Sequence, residues 1–557
     1  MKKLPIGLCD FEELITKNYY FVDKTLLIKD ILDGGAKATL IPRPRRFGKT
    51  LNMSMLQCFF EKTPESKRNL FDNFKISEHH DIMAKQGQYP VIFITFKDVK
   101  ESKWEKCYEK VTKIISNEFK RHKYIFDANI LDVEQKRDFQ GIIDGSASQS
   151  TFENSLKDLS TYLYLYHNKK PIIFIDEYDA TIHTGFLNNY YKDTIEFMRG
   201  LLCAGLKDNS NLEFSVMTGI LRVAKESVFS GLNSLAVCSL LDNTYSDKFG
   251  LLEEEVHELM SHYGLTSKMA DIKTWYNGYA SGDNHTVYNP WSIINFANND
   301  SFKTYWLNTS DNAIIKELIE KGSIDFKQDI EQLIAGNNIE KQVDENIVFD
   351  NVFSQSDAVW SFLLFCGYLS FDKIYLKDDF LFASLRLPNT EVKTFYKTVI
   401  LEWLKKNISM NNYSMMLNSL VSGEVNEFKK IFYDFVIKSF SVFDTAGDEP
   451  EKFYHAFVLG MLVSLSENYI VKSNKESGYG RYDVMVIPKK PTMRGIIIEF
   501  KKIGPSDTDT LEEAVDGALK QIEDKKYATE LEAHGIKDIL KLGIAFHGKK
   551  VLIKEKN

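Results

Sequence analysis

The sequence predicts an α/β chain with three parts: a doubly wound parallel sheet toward the amino end, a helical middle, and a small α/β domain toward the carboxyl end. Three observations predict it. Five short apolar runs in the first 240 residues alternate with helical stretches. Two of those runs end in charged, chemistry-bearing sequences, RPRRFGKT (Arg43 to Thr50) and the pair Asp176 and Glu177. Far downstream, RYDVMVIP and GIIIEFKK read as a strand pair carrying Asp483, Glu499 and Lys501. Strand and helix in alternation build a sheet covered on both faces.

The first run, Ala38 to Pro42 (ATLIP), stops at RPRRFGKT, and Leu51 to Phe60 follows with helical spacing through Leu51, Met55, Leu56 and Phe59. Strand, loop and helix in that order make a phosphate cradle. Backbone N–H groups and the helix N-terminus face the phosphates, Lys49 reaches the β and γ oxygens, and the Thr50 hydroxyl ligates Mg²⁺. Arg46, Gly48, Lys49 and Thr50 are the nucleotide-binding candidates. The usual pattern has a glycine five residues before Gly48, where this chain has Arg43.

Pro171 to Ile175 (PIIFI) runs into Asp176 and Glu177. Asp176 would hold Mg²⁺ through water, and Glu177 would orient or deprotonate the attacking water. The plainer alternative is a helix N-cap after a buried strand. Pro90 to Phe96 (PVIFITF), Glu213 to Gly219 (EFSVMTG) and Ser234 to Leu240 (SLAVCSL) complete the five runs. An extra strand between the loop-bearing and acid-bearing strands suits the ATPase branch that uses a catalytic Glu. Thr218, at a strand end, is placed to sense a γ-phosphate, and Arg222 follows it; a turn with a solvated arginine is the alternative.

The segments YYFVDKTLLI (Tyr19 to Ile28), LIPRPRRFGKT, IIFIDEYD (Ile172 to Asp179) and TGILRVAKESVFSGLNSL (Thr218 to Leu235) resemble the bacterial AAA-ATPase-like family, which is similar to the AAA+/origin-recognition P-loop ATPases. The resemblance covers roughly residues 4 to 240. It implies ATP and Mg²⁺ as ligands, and arginine at Arg43 fits the family's own variant of the loop. Arg43, Arg45 and Arg46 are then expected to contact phosphate or a neighbouring subunit, or to form a solvated patch. By analogy a homo-oligomer is implied.

From residue 245 to 450 the pattern is mostly helical, punctuated by WYNGY (Trp275 to Tyr279), VYNPWSI (Val287 to Ile293) and YWLNTSDN (Tyr305 to Asn312). Such clusters are turn and packing signals first. The resemblance implies a helical lid and accessory region. Ser439 to Glu451 is the linker candidate. The expected domains are therefore 1–240, 241–450 and 451–557.

In the last domain Phe453 to Leu465 reads as an amphipathic helix, Ser473 to Gly480 as a polar turn, and the two strands as a hairpin with turn residues in Pro488 to Gly495. The two-residue period of a strand puts Ile496, Ile498 and Phe500 on one face and Glu499 and Lys501 on the other. Asp483 and Glu499, with the Phe500 carbonyl, can hold Mg²⁺ or Mn²⁺ while Lys501 positions or deprotonates water. An edge hairpin whose Glu and Lys face water is the alternative. These residues are similar to the PD-(D/E)XK nuclease superfamily, with its restriction-endonuclease-like fold, over about 450 to 555. Asp483 matches the first acid, Glu499 with Lys501 the ExK element, and Gly480 and Arg481 the residues before the acid. Ala518 to Tyr527 resembles the following helix, in which Gln521 would orient substrate. An acid often precedes the GRxD turn; Asn474 takes that place, with Glu467 as a possible substitute.

Composition narrows the partners. The 557 residues carry 70 basic against 78 acidic groups, a formal charge of -8, so the surface is no generic polyanion trap. From His455 onward 17 basic residues face 15 acidic ones, so nucleic-acid contact, DNA favoured, must be local. Six scattered cysteines without zinc-site spacing and the absence of a membrane-length apolar run predict a soluble cytoplasmic protein. The expectation is an ATP-gated nuclease. The alternative is a nucleotide-dependent switch or scaffold that binds DNA or protein without cutting, and a simple metabolic kinase ranks last because it leaves the C-terminal pair unused.

Overall fold

The computed structural model describes residues 1–207, 209–223, 235–283, 285–307, 315–318, 322–347, 358–405, 409–442, 457–458, 460–461, 463–477, 480–503, 508–547 and 550–556. Residues 224–234 of the TGILRVAKESVFSGLNSL segment, 308–312 of YWLNTSDN, the linker beyond Val442, most of Phe453 to Leu465 and residues 478–479 of the polar turn lie outside the described residues. The chain divides into two compact units, Met1–Ser310 with Glu340–Val392 and Asp311–Ile339 with Lys393–Asn557.

The first unit is built on five parallel strands: β1 (Ala38–Pro42), β2 (Val91–Thr95), β3 (Ile172–Asp176), β4 (Ser215–Gly219) and β5 (Leu235–Val237), in the order β2-β3-β4-β1-β5. All five residues of β1, β3 and β4 are buried. Their unbroken apolar runs follow from cover on both faces. The strand inserted in space between β1 and β3 is β4, whereas PVIFITF, which lies between them in the sequence, forms β2 on the outer edge. Parallel pairing needs crossovers, which free sheet order from sequence order.

Helix α1 (Lys49–Phe60) buries Met53, Met55, Leu56, Phe59 and Phe60 in a core shared with Phe11, Phe71, Phe174 and Val216. Helix α2 (Trp104–Arg121) brings buried Glu118 to the Phe93 N–H of β2 at 2.8 Å, with Arg121 and His122 beside it. Burial opposes the charge of Glu118, but hydrogen bonds from Arg121 and His122 hold it down at about 2.

The middle of the chain is mostly helical. Within it α3 (Pro290–Asn299) joins helices Glu253–Tyr263 and Met269–Tyr276 around Val256, Leu259, Ile272, Tyr276, Tyr288 and Phe296. A hairpin unnamed in the sequence reading pairs Ser370–Lys377 with Phe380–Arg386. Its two-residue turn, Asp378 and Asp379 at φ 50° and 65°, has the left-handed pair that a type I′ turn needs.

In the second unit β6 (Tyr469–Ser477), β7 (Gly480–Pro488), β8 (Gly495–Lys502), β9 (Ile539–His547) and β10 (Lys550–Lys556) lie in sequence order. All neighbours are antiparallel except β8 and β9, whose parallel pairing requires the crossover helix α4 (Leu511–Asp524). Thr510 and Glu513 close a capping box at the start of α4. The helix lies so near β9 that a Cβ at Gly543 would stand 2.7 Å from the Val515 carbonyl. β8 is the central strand, buried from Gly495 to Glu499, so the solvated edge-hairpin alternative fails.

Candidate functional site

Parallel strands β1, β3 and β4 deliver their carboxyl ends to one edge, where ligands bind in open α/β sheets. Gly48 takes the left-handed conformation (φ 85°) that turns the chain into α1, and the first-turn amides of that helix lack intrahelical acceptors. Lys49, only 4% exposed, donates to the carbonyls of Arg43 at 2.9 Å and Pro44 at 3.0 Å. Burial lowers its pKa, opposed by Glu177, Asp179 and Asp176.

Asp176 is fully buried and accepts three hydroxyl groups: Thr50 at 2.8 Å and Thr95 at 3.2 Å on one oxygen, Thr218 at 2.7 Å on the other. The loop, the acidic strand and the candidate sensor strand therefore meet on one carboxylate. Glu177 follows in the left-handed region at φ 51°. The Thr50 hydroxyl and Asp176 are hard oxygen donors of the kind Mg²⁺ takes.

The arginines divide. Arg43 is buried, and its guanidinium donates to the carbonyls of Pro42 at 2.8 Å and Cys238 at 2.7 Å. It thus neither faces a phosphate or a neighbouring subunit nor joins a solvated patch, because its charge is spent on the protein's own backbone. Exposed Arg46 stands 4.4 Å over the Trp291 ring.

In the second unit the β7–β8 register pairs Val484 with Ile498, so Asp483 lies across from Glu499. The Asp483 N–H donates to Glu499 at 3.4 Å, and the Phe500 N–H donates to Asp483 at 2.7 Å. Lys501 Nζ lies 3.7 Å from Glu499 and donates to Gln521 Oε1 at 2.5 Å. Gln521 Nε2 donates to Glu499 and, at 3.1 Å, to the Tyr527 hydroxyl. Asp483, Glu499, Lys501 and Gln521 are brought together, with Gln521 bridging acid and base through both ends of its amide. Burial and the Asp483 charge push Glu499 up to about 8, and burial raises Asp483. Two facing carboxylates with a nearby backbone carbonyl fit a divalent cation, whose charge would oppose those shifts.

Residue 474 lies opposite Asp483, between the paired Ser473–Val484 and Lys475–Tyr482. Its side chain, like that of Arg481, lies outside the described residues. Glu467 does not replace it: it is exposed and precedes β6, seven residues along the chain from 474.

Residues 5–229 match the family model described as "Predicted AAA-ATPase", and residues 449–556 match the model of the PD-(D/E)XK nuclease superfamily. The chain carries a AAA-ATPase-like domain and a PD-(D/E)XK domain. It is also 25% identical to a protein of Azotobacter chroococcum mcd 1 described as "Uncharacterized protein in vnfD 5'region", over 98% of this chain and 96% of that one. Among the described residues, no helix is long and apolar enough to cross a membrane.

In the AAA-ATPase-like domain the sequence reading missed Thr95, whose signal was a hydroxyl closing an otherwise apolar strand. It also read VYNPWSI as a turn and packing signal first. Asn289 caps α3 and its amide donates to the Arg45 carbonyl at 3.3 Å, while Trp291 lies under Arg46. In the PD-(D/E)XK domain it missed the Tyr527 hydroxyl, which stands at the end of the quoted ALKQIEDKKY segment.

Proposed function

We propose that this chain is an ATP-dependent, metal-dependent nuclease of the cytoplasm acting on DNA. The observation that carries the reading is the approach of Asp483 from β7, Glu499 and Lys501 from the central strand β8, and Gln521 from α4, which sets two carboxylates face to face where burying them is otherwise costly. Mg²⁺ or Mn²⁺ bound by Asp483 and Glu499 would polarise the phosphate and lower the pKa of bound water. Lys501 would orient that water, whose proton passes to solvent. Gln521 holds Lys501 and Glu499 in one geometry. Hydrolysis then forms a P–O bond to the water oxygen and breaks the bond to a sugar oxygen, which leaves with a proton.

In the AAA-ATPase-like domain Lys49 exchanges its two carbonyl partners for the β and γ oxygens of ATP. Thr50, and Asp176 through water, would hold Mg²⁺, Glu177 would orient the attacking water, and Thr218 would read the γ-phosphate. Six free cysteines fit a reducing compartment.

Purified protein is incubated with plasmid, ATP and Mg²⁺ or Mn²⁺, alongside Lys501→Ala and Lys49→Ala. Nicking by wild type that is lost in Lys501→Ala is expected; equal nicking by that variant ends the assignment. Asparagine at 474 favours a second reading, a nucleotide-dependent switch that binds DNA without cutting. Among the described residues no group of three His, Cys, Asp or Glu side chains is placed to hold a metal. Nucleotide-sensitive DNA binding without nicking would select it.

A further inference from the structure

Tyr178 and Asp179 follow the acidic pair and have no part in the chemistry above, yet both are buried and both reach across to the exit of β4. The Tyr178 N–H donates to the Thr218 carbonyl at 3.1 Å, and its hydroxyl donates to the Leu221 carbonyl at 2.6 Å. A single oxygen of Asp179 accepts the N–H groups of Ile220 at 2.8 Å and Leu221 at 2.9 Å. Gly219 lies inside this clasp. A Cβ there would stand 2.7 Å from the Tyr178 ring and 2.8 Å from the other Asp179 oxygen, so only glycine fits without a shift. The Gly219 carbonyl in turn accepts the Arg43 N–H at 3.0 Å, which ties the phosphate loop to the same strand exit.

Glu177 is strung between these fixed points. Its φ of 51° lies in a region that non-glycine residues seldom occupy and that surrounding structure must enforce. The residue before it, Asp176, already accepts the Thr218 hydroxyl. The residues after it bind the backbone of 218, 220 and 221. A buried carboxylate is a costly way to close an ordinary turn.

We infer that Tyr178 and Asp179 are positioning residues that hold Glu177 in its left-handed turn and lock it in register with Thr218. The residue that handles water and the residue that reads the γ-phosphate then move as one body. Leu221 leads directly into Arg222–Val223, which pairs in parallel with Asn346–Ile347, so a shift of the clasp leaves the sheet along that ribbon. The inference rests on the ATPase reading proposed above.

ATP turnover and ATP affinity are measured on the full chain for Tyr178→Phe, Asp179→Ala and Asp179→Asn, with Glu177→Gln as the baseline. Tyr178→Phe removes one hydrogen bond and keeps the ring; kcat is expected to fall about 10-fold. Asp179→Ala frees two N–H groups, and a fall of about 100-fold is expected, the scale of a small misplacement. In both, the Kd for ATP stays within about twofold, because the lost interactions act on the chemical step. One oxygen serves both N–H groups, so Asp179→Asn is expected to recover kcat to within about threefold of wild type. Wild-type kcat in Tyr178→Phe and Asp179→Ala, or ATP affinity falling in step with kcat, overturns the clasp. If Asp179→Ala does not fold, Tyr178→Phe decides alone. Wild-type turnover no faster than Glu177→Gln overturns the ATPase reading, and the clasp with it.

Discussion

The two candidate sites bury their acids in opposite ways. Asp176 is surrounded by the hydroxyls of Thr50, Thr95 and Thr218, which satisfy it without another charge. Glu499, 2% exposed, faces a second carboxylate, and burial with the Asp483 charge pushes it up to about 8. The first acid is settled by the fold alone. The second is settled by whatever positive charge, proton or cation, lies nearest the pair.

Replacing Glu499 by Gln attacks that difference most strongly. Plasmid nicking should fall about 10²- to 10⁴-fold, as it should for Lys501→Ala. Stability should move the other way, with a sign fixed by linkage. Folded Glu499 keeps its proton up to about pH 8, while an ordinary glutamic acid releases it near 4.5. Between those values the folded chain binds more protons, so its stability falls as pH rises. Glutamine does not titrate. In EDTA the variant should therefore match wild type near pH 5 and melt higher at pH 9; equal melting at pH 9 would erase the contrast between the sites.

Glu118 extends the comparison to an acid among cations. Glu118→Ala removes one partner each from Arg121, which keeps Glu61, and from His122, which keeps the Val91 carbonyl, and leaves the Phe93 N–H without its acceptor, a loss of about 3 kcal/mol read by denaturant unfolding. The wild-type contribution is complete above about pH 4.5 and disappears as pH falls toward about 2, the reverse slope to that of Glu499. Asp176→Asn gives a smaller loss, about 1 to 3 kcal/mol, since an amide N–H now faces threonine hydroxyls. A loss of that size in denaturant unfolding is expected there; a gain in stability would make Asp176 another Glu499.

What the sequence made legible follows the range of the interactions. ATLIP with RPRRFGKT revealed strand, loop and helix because their order is local. The common face of Glu499 and Lys501 was legible because strands alternate every second residue. An inserted strand between the loop-bearing and acid-bearing strands was expected, but not that β4 would fill the place, since parallel crossovers do not encode neighbours. Arg43 was misread because its acceptor at Cys238 lies 195 residues away. A loop arginine signals charge, and only the folded chain shows which way it turns. The aromatic NPW segment was recognised as a packing signal, but its partners in the phosphate loop are more than 240 residues distant.

Trp291 offers the smallest effect and asks whether the first site is set by the fold in its loop as well as in its acid. The Arg46 guanidinium over the indole is worth about 0.5 to 1 kcal/mol at an exposed site. Trp291→Ala should therefore change the Kd for ATP by no more than about fivefold, measured by calorimetry. Trp291→Phe should fall between the two, because a smaller ring holds the cation less well. If the indole only parks Arg46, the alanine variant releases that arginine toward phosphate and binding tightens. If it instead keeps the left-handed Arg46 turn in a binding-ready shape, affinity weakens, and the loop is preorganised like the carboxylate beneath it. A change above about 50-fold in either direction exceeds what one cation–π contact supplies, and would place Trp291 against the nucleotide itself.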